Sequence, residues 1–168
     1  TGKISLLQEL VPRRMAAGSN SNSGNPDPNW QKHIQSIAPG FNIRNVGEGG
    51  VRRIKSFRNE PVVQTHPKDR KVPCEIYREL KVPVGKKTLL KVRASYHAHG
   101  DWQLRVRAGK DVIYDKIVGN TQVKGQWLEF DVDLSDYAGK TIPLVLENKA
   151  NNWANEFGYW SSIEVVSN

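Results

Sequence analysis

The chain has 168 residues, of which 38% are hydrophobic and 25% are charged, a length that suits one ordinary domain with a short extension. No apolar run approaches the roughly 18 residues that a membrane-spanning helix needs. The net charge of +8 favours polyanionic partners, such as nucleic acid, acidic polysaccharide or an anionic surface, without choosing among them. The single cysteine, Cys74, excludes an internal disulfide framework and leaves the compartment open.

The N-terminal part reads as an extension. Ser5–Met15 has apolar residues on one side and predicts one or two helical turns, interrupted by Pro12. Gly18–Pro28 is built from small and polar residues with prolines, which is typical of a linker. We therefore predict a flexible N-terminal extension or linker over residues 1–28 and a β-sandwich binding domain over residues 29–168.

The next segments predict short strands and no helix, since no stretch after residue 30 keeps a helical period over about ten residues. Residues 41–46 alternate between apolar and polar and predict a strand, followed by a turn at residues 47–50. Residues 51–57 and 61–65 predict two further extended segments.

Residues 89–108 predict a β-hairpin, because apolar residues occupy the even positions on both arms and a glycine interrupts them. If the hairpin closes symmetrically about His99, Arg93 lies opposite Arg105 and Lys91 lies opposite Arg107. Like charges opposed across a strand pair are destabilising. Acidic groups, from neighbouring side chains or a ligand, are therefore expected over this face.

The remaining segments alternate with the same period of two. They are residues 74–82, 112–118, 128–134, 142–146 and 159–166, with turns at Gly85, Gly109, Gly119, Gly125 and Gly139. The parity of the first segment points Cys74 inward as a small hydrophobic residue. Seven to nine short strands predict an all-β fold, an antiparallel β-sandwich with jelly-roll topology, and a barrel is the lesser alternative.

Several short motifs add a resemblance to this prediction. They are Val-Pro-Val-Gly-Lys-Lys at residues 82–87, Gly-Asp-Trp at 100–102, Val-Asp-Leu-Ser-Asp-Tyr-Ala-Gly-Lys at 132–140 and Gly-Tyr-Trp at 158–160. Over residues 61–166 the chain resembles galactose-binding-like jelly-roll domains of the carbohydrate-binding-module type, as appended to secreted planctomycete proteins. The resemblance implies a sandwich that binds glycans through end loops or a sheet face, in a larger extracellular or periplasmic protein. It also implies a structural calcium ion, although the sequence shows no acidic cluster that can be assigned to one.

The best candidate ligand-binding segment lies near the C-terminus. Trp153 stands in an asparagine-rich segment between Asn152 and Asn155, and Tyr159 follows. Aromatic rings stack on sugar faces while amides bind hydroxyl groups, so this segment offers both kinds of contact. The alternative is that Phe157 and the following Trp160 pack into the core and Trp153 covers one end of the sandwich.

Two other groups are candidate contacts. His97, His99 and Asp101 have a spacing that can ligate a transition metal, but a polar loop that binds a ligand is the favoured interpretation. Arg93 and Arg105 can bind sulfate or carboxylate groups bidentately, unless acids such as Glu79, Glu129 or Glu147 neutralise them. A second basic cluster comprises Arg52, Arg53, Lys55 and Arg58.

Other classes of function find less support. No helix, aromatic sheet motif or zinc site typical of sequence-specific nucleic-acid recognition is present in the sequence, and neither is a nucleophile elbow, phosphate-binding loop or zincin motif. We therefore predict a non-enzymatic module that binds a polysaccharide, and we favour an acidic or sulfated polysaccharide over a neutral one. The alternative is a structural or protein-interaction domain that docks to its parent chain or to a partner.

Overall fold

The structure, a computed structural model, describes residues 27–168. The predicted helical turns at Ser5–Met15, and the predicted linker up to residue 26, lie outside the described residues. No helix within residues 27–168 is long and apolar enough to cross a membrane.

The described part begins with a helix, α1, at Pro28–Ile37, so the prediction of no helix in this region is wrong. The Asp27 side chain accepts a hydrogen bond from the Asn29 N–H group at 2.8 Å and caps the helix. Ile34 is fully buried against the sandwich, and Trp30 and Ile37 pack beside it. Trp30, Ile34 and Ile37 have the i, i+4, i+7 spacing of an amphipathic helix behind an Asp-Pro start, but this start falls in the segment predicted as a linker.

Ten strands follow the helix. They are β1 (Asn42–Arg44), β2 (Arg52–Phe57), β3 (Glu60–Thr65), β4 (Cys74–Lys81), β5 (Thr88–Tyr96), β6 (Asp101–Ala108), β7 (Asp111–Gly119), β8 (Leu128–Asp133), β9 (Thr141–Lys149) and β10 (Gly158–Ser167). A short 3₁₀ turn, Ser135–Tyr137, precedes β9.

The strands form two five-stranded antiparallel sheets with the orders β1-β4-β9-β6-β7 and β2-β3-β10-β5-β8. Strands β6 and β7 form the innermost hairpin, and β5–β8, β4–β9 and β3–β10 pair outside it in nested fashion. One long folded hairpin rolled into two facing sheets produces this order, which is the jelly-roll pattern. The predicted antiparallel β-sandwich is therefore confirmed.

The inward faces of the two sheets meet in one core. The fully buried rings of Trp102 and Trp160 lie 5.0 Å apart at its centre, which confirms the packing alternative for Trp160. Cys74 is buried as predicted, and burial raises the pKa of its thiol. A neutral buried thiol is a poor nucleophile.

The predicted hairpin between β5 and β6 is wrong, because these strands lie in different sheets. An alternating pattern shows which face of a strand is buried but does not specify its neighbour. The actual pairing separates the like charges. Arg93 lies opposite Glu129, and Arg105 lies opposite Asp115 and Glu147.

Candidate functional site

Three loops meet at one end of the sandwich, called the loop end below, and line a small cavity that is open to solvent. They connect β5 to β6, β7 to β8 and β9 to β10. The cavity has a volume of about 270 Å³, and it is lined by Ala98, His99, Gly100, Asp101, Asn120, Thr121, Gln122, Asn152 and Ala154. The structure thus brings the predicted residues His99, Asp101 and Asn152 to one site. Sequence analysis missed residues 120–122, since a polar turn carries no signal that distinguishes a site from an ordinary loop.

Two of these loops are held together by direct hydrogen bonds. The Asn151 amide donates to both carboxylate oxygens of Asp101 at 3.1 Å, and the Asn155 amide donates to the His99 carbonyl oxygen at 3.1 Å. Gly100 allows this close approach, because a Cβ atom there would lie 2.2 Å from the Asn155 carbonyl oxygen. Asn155 therefore acts partly as a structural residue, and the exposed Asn152 accepts the Ala154 backbone N–H through its side-chain oxygen at 3.0 Å.

The β9–β10 loop is built around Glu156, a residue that sequence analysis missed. Its side chain is fully buried and accepts backbone N–H groups of Asn151, of Asn152 at 3.3 Å and of Ala154 at 3.0 Å. Burial raises the pKa of the Glu156 carboxyl, and the N–H donors act in the opposite direction. This carboxyl fixes the conformation in which Asn152 faces the cavity.

Beside the cavity, imidazole and aromatic rings form a continuous series. The rings of Trp153 and His66 lie 5.1 Å apart, His66 and Phe157 lie 4.8 Å apart, and His97 and Phe157 lie 6.2 Å apart. Trp153 is partly exposed, has φ +68°, and carries the Arg70 guanidinium 5.5 Å from its ring centroid. Trp153 therefore lies beside the cavity, because its neighbours Asn152 and Ala154 line it, but the Trp153 ring itself does not.

Electrostatics at this end favour neutral imidazole at His97. Burial lowers the pKa of His97, and nearby His99 and Arg58 lower it further. The His97 Nδ1 atom accepts the His99 backbone N–H at 3.0 Å, which fixes its ring over the loop. Neutral imidazoles can both donate and accept hydrogen bonds to hydroxyl groups.

Tyr159 does not offer a free stacking face, and this part of the prediction is wrong. It is 4% exposed, and its ring is stacked on Phe57 with the centroids 3.9 Å apart. Because the next residue, Trp160, points into the core, Tyr159 points to the outer face of the second sheet.

Arg93 and Arg105 do not join the loop end, since they lie on the outer faces of different sheets. Arg93 binds Glu60, lies 3.3 Å from Glu129 and stacks over Trp127 at 4.5 Å. Arg105 lies 3.6 Å from Glu147. The interpretation that Glu129 and Glu147 neutralise these arginines is confirmed, whereas Glu79 makes no ion pair within residues 27–168.

The described residues do not form an evident calcium site. No group of three or more His, Cys, Asp or Glu side chains within residues 27–168 is arranged to hold a metal ion. The two carboxylates at the loop end, Asp101 and Glu156, are already bound by N–H donors. His97 and His99 lie 5.9 Å apart between ring centroids without a third ligand in the same part of the chain.

Comparisons with known proteins agree on the architecture. No protein-family model matches the sequence, and no curated protein matches it. The K1 cleaved adhesin domain of Lys-gingipain from Porphyromonas gingivalis W83 is 11% identical with a TM-score of 0.55, over 76% of this chain and 90% of that domain. An apo-form cyclase from Fischerella sp. is 11% identical with a TM-score of 0.53, over 77% of this chain and 83% of that one.

The chain shares its β-sandwich fold with these two proteins. A CBM22-1 xylan-binding domain from Paenibacillus barcinonensis Xyn10C is also similar, at 15% identity and a TM-score of 0.48, over 76% of this chain and 85% of that domain. Similarities at such identities concern the fold alone. Because an adhesin domain and a cyclase share it, the fold does not decide between binding and catalysis.

Proposed function

We propose that this domain is a non-catalytic carbohydrate-binding module that recognises a polysaccharide and belongs to a larger exported protein. The observation that carries the proposal is the cavity at the loop end, where His99, Asp101 and Asn152 converge from two loops. Its volume of about 270 Å³ lies near the lower end of ligand pockets and suits a small polar group such as one sugar residue.

The chemistry of the lining supports a hydroxyl-rich ligand. A carboxylate, an imidazole and carboxamides together provide acceptors and donors at several angles, which hydroxyl groups need. The loops are anchored to a rigid sandwich, so these groups are held in place before a ligand arrives. Trp153 adds a partly exposed ring beside the cavity for stacking on a neighbouring sugar.

A binding role is favoured over catalysis by the placement of the carboxylates. Glycoside hydrolysis generally uses a pair of carboxylic acids that flank the bond. Asp101 is the one carboxylate among the described residues that line the cavity, and Asn151 holds it. The similarity in fold to an adhesin domain adds an analogy at the level of the fold only.

The preference for acidic or sulfated glycans is a finer proposal that the net charge of +8 supports. Arg93 and Arg105 were the predicted anion contacts, and each now has carboxylate partners. Cations that have no carboxylate partner are therefore better candidates for binding the anionic groups of such a glycan.

The test is binding to an array of neutral, uronic-acid and sulfated polysaccharides by the wild-type protein and three variants. We expect Asn152→Ala and Trp153→Ala to weaken binding at least tenfold while the protein stays folded, as about 1.4 kcal/mol of lost contact corresponds to tenfold. Thr141→Ala is the matched control, because Thr141 is exposed at the opposite end of the sandwich. We expect it to bind as the wild type does.

If the wild-type protein binds no polysaccharide on the array, the proposal is contradicted. Self-association or capture of a partner protein, lost on Trp153→Ala, would then favour the alternative of an interaction domain. Equal weakening by Thr141→Ala would show that the loop end is not the site.

A further inference from the structure

On the outer face of the second sheet, Arg52 and Arg58 differ from Lys91 and Arg93 in their charge partners. Lys91 and Arg93 on this sheet each bind a carboxylate. Arg52 and Arg58 make no ion pair within residues 27–168. Their positive charge is therefore not neutralised by neighbouring strands.

The strand register brings Arg52 towards Tyr159. Arg52 lies opposite Gln64 on β3, and Gln64 lies opposite Tyr159 on β10. Residues directly opposite each other share a face of the sheet, and adjacent strands lie about 4.8 Å apart. The two strand spacings between them, about 9.6 Å, can be bridged when the arginine and tyrosine side chains lean towards each other. The next residue in this row is Ser95, opposite Tyr159 on β5.

Arg58 reaches the same row from the β2–β3 turn. Its Nη1 atom donates to the Ser95 hydroxyl at 2.9 Å and to the Gln126 carbonyl oxygen at 3.1 Å, with its guanidinium 4.6 Å from the Tyr96 ring centroid. These bonds fix the guanidinium plane. Its Nε–Nη2 edge makes no hydrogen bond within residues 27–168, and this edge is the fork that binds oxyanions bidentately.

The turn itself is unusual for an arginine. Arg58 has φ +51° and the following Asn59 has φ +70°, so both central turn residues are left-handed. Asn, Asp and Gly are the residues that favour such turns, and an arginine there is strained. Strain of this kind is often found where a side chain has a role in binding.

The Tyr159 hydroxyl completes the arrangement. This hydroxyl makes no hydrogen bond within the described residues. Its oxygen is not completely shielded from solvent, so a ligand can reach it. Burial raises the pKa of Tyr159, while the charges of Arg52 and Arg58 lower it. The strand register and the Arg58–Ser95 hydrogen bond place both arginines along the row of the sheet that holds Tyr159.

We propose that Arg52, Arg58 and the Tyr159 hydroxyl form an oxyanion subsite that binds a sulfate or carboxylate group of the polysaccharide. This inference rests on the proposed function, because the glycan carries the anion. Arg58 is hydrogen-bonded to Ser95, two residues before His97 of the β5–β6 loop, so the subsite adjoins the cavity loops. A glycan chain held at the loop end can continue onto this face of the sheet.

The matched pair for the test is Arg52→Gln and Arg53→Gln. Both change the same charge on the same edge strand, but Arg53 lies opposite the inward-facing Val63 and therefore on the other face. Binding is measured to three hexasaccharides: a carrageenan with sulfate esters, a galacturonic acid oligomer and a neutral agarose oligomer. Arg52→Gln is expected to weaken binding of at least one acidic oligomer tenfold or more, as for a lost charge-assisted contact.

Arg53→Gln should change the same affinity by less than about twofold, and neither variant should affect the neutral oligomer. The acidic oligomer that responds identifies the anion as sulfate or carboxylate. Equal losses in the two variants would overturn the subsite in favour of a general effect of net charge. Tighter binding of single-stranded oligothymidylate than of either acidic oligomer would overturn the assignment to a glycan.

A second measurement separates this inference from the proposed function. Inorganic sulfate is titrated into the ¹⁵N-labelled protein, and the Arg58 Nε–H signal and the Tyr159 ring signals are followed. We expect saturable shifts in the wild type and loss of them in Arg58→Lys, which keeps the charge and lacks the fork. Absence of these shifts would overturn the subsite. If they occur and no hexasaccharide binds, the anion site stands and the proposed polysaccharide function fails.

Discussion

Thr65→Val tests how the loop end is held on the sandwich. Thr65 is 1% exposed at the end of β3, and its hydroxyl oxygen accepts the Asn148 amide at 3.0 Å and the Trp160 indole N–H at 2.9 Å. Valine has nearly the same shape but cannot accept either bond. Each of the two buried donors left without a partner costs about 1–3 kcal/mol, so we expect the free energy of unfolding to fall by about 2–6 kcal/mol.

Urea unfolding followed by tryptophan fluorescence measures this change, with Thr88→Val as the control. Thr88 is also fully buried, but its hydroxyl bonds only to the half-buried Ser167 hydroxyl at 2.9 Å, which can turn to water. We expect the control to lose about 1 kcal/mol or less. If the free energy of unfolding falls equally in the two variants, the reasoning that the buried Thr65 hydroxyl joins the two sheets below the loops is refuted.

Three further predictions follow from local contacts. Gly100→Ala should destabilise the protein by about 1–3 kcal/mol and abolish glycan binding, because the new Cβ atom meets the Asn155 carbonyl; unchanged binding would contradict the loop contact. The Arg93 hydrogen bond lowers the pKa of Glu60 below its ordinary value, so the stabilisation by this pair is present above the ordinary pKa and is lost as pH falls through the lowered one. Urea unfolding at several pH values should therefore show a smaller acid loss for Glu60→Gln than for the wild type, and parallel curves would contradict this ion pair. A chelator should leave the melting temperature unchanged, since Asp101 and Glu156 are bound by N–H donors, and a drop of several degrees would reveal a structural calcium ion.

The sequence pattern was sufficient to predict the strands and the sandwich. Alternation depends on burial of one face, so segments such as residues 128–134 and 159–166 correspond closely to β8 and β10. Strand pairing could not be read in the same way, because β5 pairs with β8 across more than thirty residues while β6, its neighbour in sequence, lies in the other sheet. The helix at Pro28–Ile37 was missed although Asp27 and Pro28 are helix-start residues, because both fall in the Pro- and Asn-rich segment that was predicted to be a linker.

The candidate site was predicted in part. The prediction that His97, His99 and Asp101 adjoin the Trp153 loop rested on residue chemistry, and the structure places these groups at one end of the sandwich. The roles of Tyr159 and Arg93 could not be inferred, because their availability depends on Phe57 and Glu60, which come from another strand pair. Glu156 reads as an ordinary surface residue in the sequence, and only the fold shows that it is buried.

The most direct test of the account is a titration of the ¹⁵N-labelled domain with polysaccharide fragments chosen from the array. We expect amide shifts confined to residues 97–101, 120–122 and 151–155, with saturation and with loss on Asn152→Ala. Shifts on the opposite end of the sandwich, around residues 83–87 and 138–141, or no saturable shift with any fragment, would contradict the assignment of the loop end as a glycan-binding site.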